Sequence, residues 1–589
     1  MTPEPYGPQL PISQEMHAMK YRSEGETYRA STARVAGALA DNQEHYQSLK
    51  KIIRDMRFVF GGRVQAAAGA VKQVTPYNCF VSSTIDDSMS GIMDALAQAA
   101  ETLRLGGGIG YDFSTIRPRG ELIRSLESSA SGPVSFMQLF DALCKTISSS
   151  GHRRGAQMGV LRVDHPDIEE FIRAKQDGNT LTAFNISVGI TDKFMYAVRM
   201  NTQFALKFKG KTYKHVDARA LWDEIMRSTW DWAEPGVLFI DRINRENPAR
   251  YCEQIAATNP CGEQPLPPYG ACLLGSFNLT RYVKQHNKTC NPTLCTCTGE
   301  GNVCKCITCA FYFDFGQLSL DVEPVVRAMD NVIDRAVYPT EEQKLSAHTM
   351  RRMGLGIMGF ANASEALGYA YGSDECLEFM DEVMKVISRS AYGASCALAQ
   401  EKAPFPAWDA ISYGSNTKVF NELPHVMKLN IRKHGLRNSH LLSIAPTGTI
   451  ALTSDNISSG IEPPFSLHFD RVIQTEQGPR VERVEDYAYR VWGVHGKTSD
   501  ECSANDHVRV LLTAQKWVDS AVSKTCNVGD DVTWEQFKDI YMDAWLGGAK
   551  GCTTFRAAGK RMGILTKVEA DNDEPQACFI DERGNRTCE

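Results

Sequence analysis

The chain has no window of about eighteen consecutive apolar residues, and its opening stretch, MTPEPYGPQLPISQEMHAMKYRSEGE, has no apolar core of the kind that directs export. Both absences argue against a membrane-spanning or exported protein, so a cytoplasmic location is expected. A surplus of positive charge is also missing. Lys and Arg number 64 against 70 Asp and Glu, for a net charge of −6. That balance disfavours a strongly basic nucleic-acid binder. It says little about nucleotides, which need only a local cluster of donors. No internal repeat and no long low-complexity linker is present. Histidine is scarce where it would matter most, since none lies within twenty residues of Cys261 on either side.

Cysteine is what the chain has in plenty, with 18 in 589 residues. A disulfide scaffold suits small secreted domains, whereas a long cytoplasmic chain keeps its thiols reduced. Free cysteine is among the most buried residue types, so Cys144, Cys376 and Cys396, each in a helical pattern, are predicted to lie in the core. Six others crowd one stretch. Residues 284–310, KQHNKTCNPTLCTCTGEGNVCKCITCA, place Cys290, Cys295, Cys297, Cys304, Cys306 and Cys309 in the spacing C-x4-C-x-C-x6-C-x-C-x2-C. The stretch has almost no bulky apolar side chains to order it. Thiolate ligation of zinc is one reading and idle or disulfide-forming thiols the other, because the spacing matches no standard finger or ribbon.

Periodicity predicts helix over residues 25–58, with a start signal at Ser31 or Thr32, then a strand over residues 78–85, NCFVSSTI. A helix follows in GIMDALAQAAETLRLGGGIG and ends in a glycine-rich turn. SFMQLFDALCKTISSS and DHPDIEEFIRAK are predicted helical, FNISVGI and GVLFIDRI extended. Residues 376–402 carry the clearest helical pattern, with Met380, Val383, Met384 and Ile387 on one face. SHLLSIAPTGTIAL is predicted as a buried strand, a tight loop and a new element. Strands alternating with helices indicate an α/β layered or barrel fold.

The chemistry concentrates in ATNPCGEQPLPPYGACLLGSFNL, where Asn259, Cys261 and Glu263 stand two residues apart and Cys272 follows. A conventional thiolate nucleophile needs a base, usually His, and a neighbouring carboxylate disfavours the thiolate. Hydrogen-atom transfer needs no thiolate, so the set suits a thiol that gives up a hydrogen atom. Glu263 would be the acid or base and Asn259 an anchor. A structural loop with an incidental cysteine stays open. If the site reduces its substrate, a dithiol can supply two electrons by becoming a disulfide. Cys272 and Cys79 are both candidates, and nothing in the spacing pairs them. APTGTIAL offers Thr447, Gly448 and Thr449 with backbone N–H groups to a phosphate, without the lysine of a P-loop; an ordinary turn is the alternative. RLGGGIGYDFS follows a helix, so it is no dinucleotide fingerprint, but its glycines permit close backbone approach.

Together NPCGE, GACLLGSFNL, NCFV, GGGIG and APTGT, in this order, resemble ribonucleotide reductase from about Arg57 to Arg561. GHRRGAQMGVLRVDHPDIEEFI and RRMGLGIMGFAN resemble its adenosylcobalamin-dependent, class II branch. The resemblance implies a ten-stranded α/β barrel of two five-stranded halves around a central finger loop. It implies a helical N-terminal region over 1–56, the barrel over 57–565 with the cysteine-rich insert, and a tail over 566–589. Cys261 would become the thiyl radical that takes the 3′-hydrogen, Glu263 would take the 3′-hydroxyl proton, and Asn259 would hold that hydroxyl. Cys79 and Cys272 would help expel the 2′-hydroxyl as water and end as a disulfide. Thr447, Gly448 and Thr449 would bind the substrate phosphates, Gly108 would lie against the substrate, and Asn78 stands where many reductases carry a small hydroxyl residue.

Asp87, Ser88 and Arg117 fall near the family's deoxynucleotide specificity site. The short N-terminal section lacks an ATP cone, so dNTP specificity control is expected without dATP shut-off. GCTTFRAAGKR holds Thr554 and Phe555 where class I large subunits have paired tyrosines. No glycyl-radical motif is present, and the absence of D-x-H-x-x-G fits cobalamin whose lower ligand is not replaced by histidine. Cys578 and Cys588 in the tail would re-reduce the Cys79–Cys272 disulfide, with direct reduction by a thioredoxin-like protein as the alternative. The resemblance further implies diphosphate substrates and a homodimer. A class I-type large subunit with a separate radical-generating partner is the alternative, and a zinc-dependent non-catalytic binding protein the remote one.

Overall fold

Strands buried on both faces build the centre of this protein. Gly236–Phe239, Leu274–Asn278 and Gly354–Met358 are buried at every residue, and Phe184–Ile190 at all but Asn185. Such runs belong in parallel sheets covered by helices. The computed structural model describes residues 6–71, 74–123, 127–147, 155–285, 311–475, 478–529, 532–556, 559, 565–567, 578–580 and 586–588.

Five strands, Cys79–Val81, Gly108–Asp112, Gln157–Arg162, Phe184–Ile190 and Gly236–Phe239, lie side by side in chain order and pair in parallel. Gly551–Arg556 joins antiparallel to the last of them and runs parallel to Thr525–Val528. At the other edge Ala271–Cys272 pairs antiparallel with Cys79–Val81, completing an eight-stranded sheet. One residue, Leu273, separates Ala271–Cys272 from Leu274–Asn278, which lies in a three-stranded sheet between Phe58–Phe60 and Gly354–Met358. The predicted strand in SHLLSIAP is represented by isolated parallel bridges, Leu355 to Leu442 and Ile444 to Val522. The α/β class is as expected. The ladders form sheets of eight and three strands and stop short of one closed ring.

The helical layer follows the apolar periodicity. Asp374–Lys402 buries Met380, Val383, Met384 and Ile387 on one face and begins at Ser373, whose side chain accepts from the Cys376 N–H. Cys144, Cys376 and Cys396 are buried, as predicted. The N-terminal helical stretch differs from expectation, forming two helices, Tyr28–Leu39 and Gln43–Arg54. Asn42 starts the second by accepting from the His45 N–H, which breaks the run. Thr27 caps the first, while the Ser31 and Thr32 hydroxyls both donate to the Tyr28 carbonyl. Those two hydroxyls are consumed inside the helix and cannot start it.

Cys290, Cys295, Cys297, Cys304, Cys306 and Cys309 lie outside the described residues. The flanking strands Val283–Gln285 and Phe311–Phe313 pair antiparallel, so the chain departs and returns at one place. Among the described residues no cluster of three His, Cys, Asp or Glu could hold a metal ion, and no helix is long and apolar enough to cross a membrane.

Candidate active site

The NPCGE segment folds as a hairpin loop. Ala257–Thr258 pairs antiparallel with Pro265–Leu266, and the Asn259 N–H donates to the Gln264 carbonyl at 3.2 Å. Asn259 Oδ1 accepts from the Gln264 N–H at 2.9 Å, and Gly262 turns the chain at φ +81°. Pro and Gly are thus used for the turn, and the Asn side chain closes it. Asn259, Glu263 and Gln264 are buried, whereas Cys261 is exposed at the tip.

Three separate parts of the fold hold this finger. Asn185 Nδ2 donates to the Pro260 carbonyl at 2.9 Å. The Ser443 hydroxyl and the Ala521 N–H both donate to the Glu263 carbonyl, at 2.9 and 3.0 Å. Room for the finger comes from the strand Gly108–Asp112. A Cβ on Gly110 would lie 1.9 Å from the Thr258 carbonyl oxygen, a backbone atom that cannot step aside alone. A Cβ on Gly108 would lie 3.2 Å from Pro260 Cγ and 3.3 Å from Cys79 Sγ. Residues i and i+2 of a strand face one side, so the glycines of GIG clear one surface for the loop. Gly110→Ala is therefore expected to displace the finger and lower kcat by about 10²-fold. Steady-state turnover with a thermal-melt control checks this; a variant as active as the parent would refute the packing role.

The two candidate redox thiols, far apart in sequence, meet in register. Cys272 lies directly opposite Cys79 on adjacent antiparallel strands, and both are buried and not joined as a disulfide. Burial, the hydrogen bond with Cys79 and the charges of Glu263 and Cys261 push the Cys272 thiol well above its ordinary pKa. Cys272 is therefore a protonated thiol at neutral pH, able to deliver hydrogen, and it sits in one electrostatic neighbourhood with Cys79, Glu263 and Cys261.

Several polar atoms here await a partner. Asn259 Nδ2 and both side-chain polar atoms of Gln264 are buried without a hydrogen bond among the described residues. Such groups are rare in native interiors and mark places where a ligand or water completes the set. Asn78, half-buried, accepts at its carbonyl from the Gly108 N–H at 2.9 Å. Gln264, Asn185 and Ser443 escaped the sequence reading, whereas Gly110 belongs to the glycine-rich turn read as permitting close backbone approach. Gln264 adjoins Glu263 and was within reach of it; Asn185 and Ser443 come from remote segments with no local signal.

The predicted phosphate loop begins four residues after Ser443. Thr447 has φ +53° and precedes a short helix, Gly448–Leu452. Its Oγ1 accepts from the Gly460 N–H at 2.7 Å, Gly448 faces open space, and Thr449 is exposed. Asp87, Ser88 and Arg117 also come together. Asp87 Oδ1 accepts from Arg117 N and Nε at 3.0 and 2.9 Å, and Ser88 caps the helix Met89–Arg104. Burial would raise the Asp87 carboxyl, but hydrogen bonds from Arg117 and Lys209 outweigh it and hold the group below the usual carboxylate range.

The Thr554 hydroxyl bonds to Tyr541 at 2.9 Å, and Phe555 follows it in the strand Gly551–Arg556. In the tail, Cys578–Ile580 pairs antiparallel with Arg586–Cys588, with Cys578 opposite Cys588 in register.

With this geometry in place, the relatives are informative. The family pattern described as the ribonucleotide reductase barrel domain matches residues 77–555. A vitamin B12-dependent ribonucleoside-diphosphate reductase of Thermoplasma acidophilum is 36% identical over 528 residues, covering 85% of this chain and 63% of that protein. One of Mycobacterium tuberculosis is 35% identical over 549 residues, covering 87% and 72%. A ribonucleoside-diphosphate reductase subunit alpha of Chlamydia muridarum is 24% identical, covering 80% and 51%. The chain thus spans less than two thirds of the Thermoplasma protein's length.

Proposed function

Because the chain belongs to the ribonucleotide reductase family, we propose that it reduces ribonucleoside diphosphates to 2′-deoxyribonucleotides, with adenosylcobalamin as radical source. The observation that carries this reading is the meeting of Cys79 and Cys272 in register, in one electrostatic neighbourhood with Glu263 and the tip thiol Cys261.

The roles follow from the chemistry of each group. Cys261, as a thiyl radical, takes the 3′-hydrogen atom. Glu263 accepts the 3′-hydroxyl proton, and the spare Asn259 Nδ2 donor orients that hydroxyl. The protonated pair Cys79 and Cys272 supplies two electrons and two protons. The 2′-hydroxyl leaves as water, carbon 2′ gains hydrogen, and the two sulfurs join as a disulfide. Cys261 then returns that hydrogen atom to carbon 3′, which completes the deoxynucleotide and leaves Cys261 a thiyl radical again. Asn78 and Gly108 line the substrate, and Thr447, Gly448 and Thr449 take its phosphates.

The tip suits a bulky external radical source. Cys261 is exposed on a loop whose residues Asn259, Pro260 and Glu263 are buried, and a Cβ added at Gly262 would meet nothing within 4 Å. Cys261 and Gly262 would face adenosylcobalamin, which supplies the homolytic chemistry when bound. Thr554 and Phe555 in place of paired tyrosines, and relatives named for vitamin B12, support this source over a partner subunit.

The wider reading is a cytoplasmic homodimer in which residues 57–565 form a ten-stranded barrel, preceded by the N-terminal region 1–56 and followed by the tail 566–589. The one-residue step at Leu273 and the parallel bridges through Leu442 and Ile444 support the ring. Asp87, Ser88 and Arg117 would bind a dNTP effector. Cys578 and Cys588, opposite each other in register, would pass electrons from a thioredoxin-like protein to the Cys79–Cys272 disulfide. Zinc would order the insert through Cys290, Cys295, Cys297, Cys304, Cys306 and Cys309, which the metal content of the purified chain tests.

The deciding assay supplies CDP, adenosylcobalamin and dithiothreitol to the purified chain. Cobalamin-dependent dCDP is the expected product. No dCDP, or dCDP only after a separate radical-generating protein is added, would overturn the assignment.

A further inference from the structure

The hairpin formed by His468–Thr475 and Gly478–Glu485 carries three arginines, and two of them are neutralised by carboxylates. Arg480 Nε pairs with Glu482 at 2.7 Å, and Arg483 Nε pairs with Asp470 at 3.3 Å. Glu485 lies 3.6 Å from the His468 ring. Arg471 is different. Glu482 stands directly opposite it in register yet engages Arg480, and Asp470 beside it engages Arg483. Among the described residues no carboxylate lies within ion-pair distance of Arg471. Its Nη2 instead points to the Gly448 carbonyl at 3.4 Å, a marginal hydrogen bond inside the candidate phosphate loop.

A mostly buried guanidinium without a counter-charge is costly to maintain. Burial pulls its pKa below the usual guanidinium range, with no charge among the described residues to raise it. Gly448 offers no side chain to fill the space beside it, and Thr449 is exposed. The loop itself contributes neutral donors, hydroxyls and N–H groups, whereas a nucleoside diphosphate brings several negative charges. A planar fork of five donors is the group best matched to phosphate oxygens.

We propose that Arg471 is the cationic ligand of the nucleotide's phosphates, reaching across from the hairpin to the Thr447–Thr449 loop and setting the preference for a diphosphate over the bare nucleoside. The proposal rests on the ribonucleotide reading above and deepens it.

Calorimetric titration of CDP and of cytidine into the parent protein, Arg471→Gln and Arg471→Lys tests it, with steady-state kinetics alongside. Arg471→Gln is expected to weaken CDP binding by about 10- to 100-fold, the span for a lost charge-assisted hydrogen bond. Cytidine binding should hold, KM should rise by more than kcat falls, and Arg471→Lys should recover part of the loss. Unchanged CDP affinity in Arg471→Gln, or an equal loss for cytidine, would overturn the proposal while parental dCDP formation left the enzymatic reading standing. Lost adenosylcobalamin affinity with intact CDP affinity would overturn it in the same way. A parent protein that neither binds nor reduces CDP would instead remove the ribonucleotide reading, and the proposal with it.

Discussion

Cys261→Ser is expected to leave no detectable dCDP while the variant folds and binds CDP like its parent. The reason lies in the bond to be broken. A thiol surrenders its hydrogen atom to a carbon radical and later takes one back, whereas the much stronger O–H bond of serine does not enter that exchange. Cys261 is exposed at the finger tip and serine nearly matches its volume, so stability should change by no more than about 0.5 kcal/mol. The turn is held by Asn259, Gln264 and Gly262, none of which depends on the sulfur. Turnover, thermal melting and CDP titration on one preparation separate a chemical loss from a structural one. Activity at even a tenth of the parental rate would remove Cys261 from the hydrogen-transfer role.

Glu263→Gln should cost about 10²- to 10⁴-fold in kcat, the usual contribution of a positioned acid or base. Glutamine keeps the shape of the buried side chain but cannot accept a proton. Ser443 and Ala521 hold residue 263 by its backbone carbonyl, and the substitution leaves those two bonds intact. It also removes the negative charge that helps raise the Cys272 thiol. Single-turnover formation of dCDP by the pre-reduced variant is the measurement. A fall of less than tenfold would show that proton acceptance by Glu263 is not needed.

Much of this was legible along the chain, for reasons that differ by element. The helix Asp374–Lys402 follows from a local apolar stripe and a serine cap, and both survive folding unchanged. The helical start near Ser31 was misplaced because a hydroxyl inside a helix looks the same in sequence as one at its cap. The carbonyl of Tyr28 claims both hydroxyls. The strand in SHLLSIAP is visible as an apolar run, yet its partners are residues 355 and 522, so its ladder reduces to bridges that no local pattern foretells.

What the sequence by itself determined is the chemical inventory: a thiol beside a carboxylate and an amide, no histidine to make a thiolate, glycines in GGGIG, and no tyrosine pair near the C-terminus. Those facts concern residue types a few positions apart, and short-range chemistry reads them directly. Only the tertiary structure decided that Cys79 is the thiol facing Cys272, that Gly110 yields its Cβ space to Thr258, and that Arg471 meets Gly448. Each of these joins segments whose separation along the chain carries no preference. Sheet order and strand register settle them, and register is a property of the buried faces of the whole fold.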